Sequence, residues 1–272
     1  VASSKGDKNK TLDIKFTLSG NELVTCGKKH VKFWAMTAGG IKAKKGLFGK
    51  ATVQPMMCIG FLLSGHTITG TGTGDLYVWE SRKQIRAVPA HSGSVNAIFS
   101  CSAGLCTGGK DGLVRLWDAD LQPLGCFDMR STPSYSPSVR SVCWDSQKGK
   151  VLVGTRGSEI FELLESKCEF DKNADAGDDN SGSNVPLVNG HCKDEVWGLA
   201  VHPSDQAYVT TGDDKTIRVW DSASHKQINF AIFECVSRAV AYSPDGTEIA
   251  VGLGGGATWH KLDGGYMILD AK

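Results

Sequence analysis

Thr216-Ile-Arg-Val-Trp220-Asp221 is one copy of a pattern that occurs three times in this chain. The other copies are Leu113-Val-Arg-Leu-Trp117-Asp118 and Leu76-Tyr-Val-Trp79. Each copy follows a turn rich in Gly and Asp, and each alternates apolar residues up to a Trp. This arrangement is typical of the third strand of a β-propeller blade, where the Trp packs between adjacent blades. The repeat therefore predicts a β-propeller.

The spacing of the Trp residues gives the length of the repeat. Trp34 and Trp79 are 45 residues apart, and Trp79 and Trp117 are 38 apart, which brackets the roughly 40–45 residues of a WD40 repeat. Two degenerate copies lack the Trp, at Glu159–Leu164 and Tyr266–Asp270. We predict an all-β fold, a WD40 β-propeller with about six four-stranded blades that could belong to a larger or tandem propeller. This propeller region covers residues 1–272, with blades at approximately 10–50, 51–90, 91–130, 131–188, 189–234 and 235–272.

The overall composition argues against several classes of partner. A formal net charge of +1 over 272 residues produces no general field that would favour nucleic acid or a lipid surface. No apolar run approaches the roughly 18 residues needed to cross a membrane. The nine cysteines lack the paired short spacings of a disulfide framework or a zinc site. The composition therefore predicts a cytoplasmic protein with reduced thiols, without nucleic-acid or membrane binding.

Charge is nevertheless distributed unevenly along the chain. Residues 1–50 contain eleven lysines against three acidic residues, a net charge of +8, whereas residues 158–182 contain eight acidic residues against two lysines, a net charge of −6. The acidic segment is part of a predicted loop at 165–190. Three lysines are predicted to lie on a solvated outer strand, and contact with an acidic protein surface is the alternative: Lys42, Lys44 and Lys45.

Two repeats also carry the same four polar or aromatic residue types at matching offsets. In each, a Thr precedes an Asp by four residues and the Asp precedes a Trp by six; the sets are His91, Thr107, Asp111 and Trp117, and His191, Thr210, Asp214 and Trp220. An imidazole, a hydroxyl and a carboxylate resemble a catalytic relay. An active site is needed only once, so the repetition predicts structural hydrogen-bonded tetrads instead. The sequence predicts no catalytic residue, no cofactor and no metal site.

Two glycine-rich segments have simple structural interpretations. Gly70-Thr-Gly-Thr-Gly74 superficially resembles a phosphate-binding loop, but a strand pattern follows it where such a loop requires a helix. We therefore predict a hairpin turn at Gly70–Gly74 and a loop at Gly252–Gly256.

Alignment of the repeats identifies one position near the start of the first strand of each blade. In WD40 blades a β-bulge at this position lies near the rim of the narrower face, where partners commonly bind. The six residues at this position are Leu12, Met57, Asn96, Arg140, Trp197 and Arg238. Trp, Arg and Met are enriched in protein interfaces, whereas packing between blades for Trp197 and a solvated rim for the arginines are the alternatives. The predicted partner-binding residues are Trp197, Glu195, Arg140, Arg238, Asn96, Met57, Lys42, Lys44 and Lys45.

Several segments together resemble one protein family. They are His191-Cys-Lys-Asp-Glu-Val-Trp-Gly-Leu-Ala-Val-His-Pro203, Leu23–Trp34, Lys45-Gly-Leu-Phe-Gly-Lys50, Ile68–Gly70 with Trp79, and Thr107–Asp111. In these segments the chain resembles the echinoderm microtubule-associated protein-like (EML) family. The resemblance implies part of the tandem-propeller region of a longer protein that associates with microtubules or soluble tubulin and has no enzymatic activity.

Two functions follow as hypotheses. The first is a non-enzymatic cytoplasmic scaffold on the cytoskeleton, at microtubules or an axoneme, whose propeller face binds tubulin, microtubules or cytoskeletal partners. Its basic first blade would complement the acidic surface of tubulin. The alternative is a generic WD40 adaptor in a signalling or ubiquitin-ligase complex.

Overall fold

The structure is a computed structural model that describes residues 7–37, 40–168, 186–254 and 266–271. The described residues form two compact units, which divide between residues 188 and 189. Both units consist of antiparallel sheets in which strands that are neighbours in the chain are also neighbours in the sheet. Most of the predicted acidic loop, including residues 169–185, lies outside the described residues.

The described residues of the first unit form four sheets. Their strands are β1 (Thr11–Phe16), β2 (Glu22–Gly27), β3 (His30–Thr37) and β4 (Gly40–Lys45); β5 (Met56–Phe61), β6 (Thr67–Thr71), β7 (Asp75–Glu80) and β8 (Lys83–Pro89); β9 (Val95–Cys101), β10 (Gly104–Gly109), β11 (Leu113–Trp117) and β12 (Pro123–Asp128); and β13 (Val139–Asp145), β14 (Lys150–Thr155) and β15 (Ile160–Leu164). Two short 3₁₀ helices, Met129–Ser131 and Glu165–Lys167, follow β12 and β15.

In the second unit, the part of the chain that the structure describes forms two sheets. Their strands are β16 (Val196–Val201), β17 (Ala207–Gly212), β18 (Thr216–Asp221) and β19 (Gln227–Ile232), and β20 (Val236–Tyr242), β21 (Glu248–Gly254) and β22 (Tyr266–Asp270). The loop predicted at Gly252–Gly256 is wrong at its start, because Gly252 pairs with Ala239 inside β21. Residues 255 and 256 lie outside the described residues.

Burial explains why the middle strands read as almost continuously apolar. In β7, Leu76, Tyr77, Val78 and Trp79 are all buried, since this strand packs on both faces against neighbouring sheets. The outer strand β8 is mostly exposed. The hairpin predicted at Gly70–Gly74 is confirmed, since it joins β6 to β7, but its turn is shorter than predicted, because Gly70 and Thr71 belong to β6 and Gly70 pairs with Leu76.

The hydrophobic cores lie between successive sheets of the same unit. In the first unit, Trp79 packs in the core between the first and second sheets, and Trp117 packs in the core between the second and third. These positions agree with the packing predicted for the repeated Trp. Burying an indole of roughly 200 Å² contributes about 5 kcal/mol of transfer free energy. Each Trp therefore makes a large contribution to the contact between two blades.

Candidate functional site

All six first strands contain a bulge at the predicted position. The ladder between the first and second strand skips one residue in each sheet, and the skipped residues are Leu12, Met57, Asn96, Arg140, Trp197 and Arg238. The prediction of a bulge at these positions is confirmed. A bulge removes a residue from regular pairing and redirects its side chain, so the six side chains hold comparable positions in their sheets.

In the second unit, Trp197 and Arg238 form a cluster around Asp213. The Trp197 Nε1–H donates to Asp213 Oδ2 at 2.9 Å, and Arg238 Nη2 lies 3.0 Å from Asp213 Oδ1. The Arg238 guanidinium also lies over the Trp197 ring, 4.2 Å from its centroid, in a cation–π contact. Trp197 is 49% exposed and Arg238 is 43% exposed. The cluster thus presents an ordered aromatic and cationic surface to solvent.

Asp213 organises this cluster although sequence reasoning did not select it. The hydrogen bond from Trp197 is the main reason that the pKa of Asp213 is lowered, with the backbone N–H of Glu195 and the charge of Arg238 also contributing. Glu195 is itself exposed and contacts Asp213 through its backbone N–H at 3.4 Å. One sequence signal could have identified Asp213. In the third sheet the residue before the tetrad acid Asp111 is Lys110, whereas the residue before Asp214 is a second acid, so Asp213 is a departure from the repeat.

In the first unit, the four bulge residues line one shallow cavity of about 280 Å³: Leu12, Met57, Asn96 and Arg140. Met57 is partly buried against the core, whereas Arg140 is exposed. Asn96 is engaged within the fold, since its Nδ2 donates to the Val139 carbonyl at 2.8 Å and its Oδ1 accepts from Ser94 at 2.7 Å. Arg140 is therefore the most available of these four side chains for a charged partner.

The three predicted basic residues lie on β4, which is the outer strand of the first sheet. Lys42, Lys44 and Lys45 are all exposed. Their positions agree with the predicted solvated outer strand and leave the lysines available for contact with an acidic surface.

The tetrad in the third sheet is a continuous chain of hydrogen bonds. Nδ1 of His91 lies 3.0 Å from the Asp111 carboxylate, and its Nε2 lies 2.9 Å from the Thr107 hydroxyl. That hydroxyl accepts the Trp117 Nε1–H at 2.9 Å. Every polar atom is satisfied if Nδ1–H donates to Asp111 and Thr107 donates to Nε2. The chain links the loop before β9 to the β10–β11 turn and to β11.

The fifth sheet in chain order repeats this arrangement. Nδ1 of His191 lies 2.9 Å from the Asp214 carboxylate, and its Nε2 lies 2.9 Å from the Thr210 hydroxyl. The Thr210 hydroxyl also accepts the Trp220 Nε1–H at 2.7 Å. Burial alone would raise the pKa of Asp214, but hydrogen bonds from His191 and Thr216 outweigh it and hold this pKa well below its usual range. The carboxylate is therefore stabilised in its charged form.

Two other sheets contain part of the same network, which sequence reasoning missed. The Trp34 Nε1–H donates to Thr25 and the Trp79 Nε1–H donates to Thr69, each at 2.9 Å. The first sheet also has an acid near an imidazole, but in other positions: Asp7 precedes β1 and His30 is the first residue of β3, and their 3.6 Å separation is longer than a hydrogen bond. The signal that could have found these pairs is a Thr nine or ten residues before each Trp.

The fourth sheet replaces the tetrad with a buried glutamate. Glu159 is 2% exposed, and its carboxylate accepts hydrogen bonds from the Ser134 hydroxyl at 2.8 Å, the Tyr135 N–H at 2.9 Å and the Thr155 hydroxyl. Glu159 follows Thr155 by four residues, as Asp111 follows Thr107. The same offset thus supports the same kind of link with a longer acid.

Within the described ranges, no group of three or more His, Cys, Asp or Glu side chains is arranged to hold a metal ion. In the same ranges, no helix is long and apolar enough to span a membrane.

The meander sheets and their Trp-centred networks define a β-propeller protein of the WD40 class. A family model described as "Echinoderm microtubule-associated protein first beta-propeller" matches residues 1–163, and one described as "WD domain, G-beta repeat" matches residues 182–221. The chain belongs to the echinoderm microtubule-associated protein-like family.

Curated relatives match most of this chain. Human echinoderm microtubule-associated protein-like 2 is 33% identical over 256 residues, which cover 92% of this chain and 35% of the relative. Mouse echinoderm microtubule-associated protein-like 1 is 29% identical over 93% of this chain and 28% of its own length. The 77 kDa echinoderm microtubule-associated protein of Lytechinus variegatus is 29% identical over 97% of this chain and 38% of its own length. The chain thus spans about a third of the length of these relatives.

Proposed function

We propose that this chain is a non-enzymatic WD40 scaffold of a microtubule-associated protein, and that it binds tubulin or microtubules through its bulge residues. The observation that carries the proposal is the exposed cluster of Trp197, Arg238 and Asp213. An aromatic side chain that is fixed before binding loses little conformational entropy on association. Trp and Arg are also the residues most enriched at binding hot spots.

Two further observations support tubulin as the partner. The relatives are named as microtubule-associated proteins. The exposed lysines Lys42, Lys44 and Lys45 supply a positive charge that complements an acidic protein surface. The proposal places the protein in the cytoplasm, on the cytoskeleton at microtubules or an axoneme.

The geometry of the tetrads supports a scaffold over an enzyme. His91 contacts Asp111 and Thr107, and His191 contacts Asp214 and Thr210, so the imidazoles that resemble a catalytic base are engaged within the blades. A catalytic relay requires a group directed at a substrate.

The test is binding of the purified chain to tubulin dimers and to stabilised microtubules, at low and at physiological salt. Trp197→Ala and Arg238→Ala should each weaken binding by about tenfold or more if the cluster is a hot spot. Leu199→Ala is the matched control, because Leu199 is on the same strand, is 64% exposed and lies outside the cluster. Arg140→Ala tests the cavity of the first unit separately.

Failure to bind either form of tubulin at low salt would refute the tubulin proposal. Unchanged binding by a folded Trp197→Ala variant would refute the role of the cluster. Capture of signalling or ubiquitin-ligase components without tubulin would favour the adaptor hypothesis.

A further inference from the structure

The outer edge of β4 has backbone groups available for pairing. Gly46 N–H donates to the Val31 carbonyl at 2.8 Å on the adjacent strand β3. Residues of an antiparallel strand alternate between bonding to the neighbour on one side and facing the other side. Lys42 and Lys44 therefore bond inward to β3. Ile41, Ala43 and Lys45, at the alternate positions, direct their N–H and C=O groups outward.

The continuation of this edge already pairs with another extended segment. Leu47 is the next outward-facing residue; its N–H donates to the Arg82 carbonyl at 2.7 Å, and its carbonyl accepts the Gln84 N–H at 2.9 Å. This short parallel bridge joins the segment after β4 to the start of β8. Among the described residues, no backbone partner meets the outward groups of Ile41, Ala43 or Lys45. Within the described part of the chain, this edge thus forms backbone hydrogen bonds to another segment at Leu47, and the outward groups of β4 itself are free to pair with an added strand.

The side chains around this edge are predominantly cationic. Lys42 and Lys44 lie on one face of the strand, and Lys45 lies on the other, because side chains alternate along a strand. Arg82 and Lys83, which lie beside Leu47, are also exposed. One acidic residue is nearby, since Glu80 is the strand partner of Lys83. Lysines on an edge strand discourage pairing with neutral or basic strands. The same charges favour a strand with carboxylates on both faces.

We propose that the outer edge of β4 binds an extended acidic peptide by strand addition. The peptide backbone pairs with the outward groups of Ile41, Ala43 and Lys45, and its carboxylates lie beside the lysines on both faces. The inference deepens the proposed function by naming the chemistry of the partner segment, and it rests on that function only for the partner's identity. The lysines thus protect the edge from wrong partners and select the acidic one.

The probe is a dye-labelled peptide of about eight consecutive glutamates, which in extended form spans the edge. Its affinity for the whole chain is measured by fluorescence anisotropy at low salt. Lys42→Glu with Lys44→Glu should weaken binding by about tenfold or more. The matched control is Lys28→Glu with Lys29→Glu, an equal charge change at exposed residues of the β2–β3 turn, which should change the affinity by no more than about twofold.

A second peptide separates strand pairing from general attraction between charges. It carries the same glutamates with methyl groups on its backbone nitrogens, so it keeps its charge and loses its hydrogen-bond donors. The unaltered protein should bind it about tenfold more weakly, and this measurement does not depend on how any variant folds. Equal binding of the two peptides, equal loss in the two charge-reversed variants, or no binding at low salt would overturn the proposal.

The two proposals fail in different ways. Binding of tubulin without binding of the glutamate peptide contradicts strand addition and leaves the proposed function in place. Binding of the peptide without binding of tubulin contradicts tubulin as the partner and leaves the acidic-peptide site in place.

Discussion

Replacing Thr107 with Val tests the hydrogen-bonded tetrads directly. The Thr107 hydroxyl links two buried groups, since it accepts the Trp117 Nε1–H and contacts His91 Nε2, both at 2.9 Å. Val has almost the same shape as Thr but lacks the hydroxyl, so the substitution removes both hydrogen bonds with little change in packing. Trp117 is only 3% exposed, so water cannot readily replace the lost partner.

The second sheet provides a matched comparison. Thr69 accepts the Trp79 Nε1–H at 2.9 Å, but its other contact is with the Met56 sulfur, a weak acceptor. Leaving one buried polar group without its partner costs about 1–3 kcal/mol. Thr69→Val should therefore lower the free energy of unfolding by about 1–3 kcal/mol, and Thr107→Val by about 2–5 kcal/mol, because it affects two groups.

The assay is urea denaturation of both variants, followed by circular dichroism and Trp fluorescence. Both residues lie in the first unit, so the two variants report on the same part of the chain. At a slope of about 2 kcal/mol per molar urea, the midpoint of Thr107→Val should lie roughly 0.5–1 M below that of Thr69→Val. A loss for Thr107→Val that is no larger than the loss for Thr69→Val would refute the view that its hydroxyl links two groups.

Three other predictions concern different parts of the framework. The pKa of Asp214 is lower in the folded state than its unfolded value near 3.8, so the charged carboxylate stabilises the fold above that pH, and this stability is lost as the pH falls towards the folded pKa. The melting temperature should therefore drop between about pH 5 and 2, and it should drop less in Asp214→Asn. Gly60→Val should destabilise the fold by about 1–3 kcal/mol, because a Cβ there would lie 2.4 Å from Ile98 Cγ2, and Ile98→Ala should recover part of the loss in a double-mutant cycle. Glu159→Ala should speed hydrogen exchange at the Tyr135 N–H, whose carboxylate acceptor it removes, and unchanged exchange would contradict that role.

The elements that sequence patterns predicted well are those specified by local offsets. The Gly- and Asp-rich turn, the alternating strand and the Trp recur together, and they identify the hairpins without any knowledge of distant contacts. The bulge positions could also be predicted, because each follows a fixed point near the start of a first strand. Trp197 and Arg238 were found in this way, on two different strands of the second unit.

The partners of these residues could not be predicted in the same way. Asp213 lies in a turn that is distant in sequence from Arg238, and only the folded sheets bring their side chains to 3.0 Å. The approach of Asp7 to His30 could not be predicted either, because the two residues are 23 positions apart in the chain and lie at neither of the offsets that define the tetrads. Both contacts form between residues that are distant in the chain, so local sequence patterns do not predict them.

The fourth sheet indicates which features of a blade are structural and which are available for function. Glu165 lies six residues after Glu159, where other blades have their Trp, and it accepts the Nε1–H of Trp144 from β13 at 2.9 Å. The link differs from that of the other blades, where an indole on the third strand donates to a Thr on the second: here an indole on the first strand donates to a Glu in the 3₁₀ helix after β15. The fourth sheet thus satisfies its buried indole and its buried acid with partners of its own, Glu165 for Trp144 and Ser134, Tyr135 and Thr155 for Glu159. Side chains that serve no such link, such as the exposed lysines of β4, are the ones that can change the partner without changing the fold.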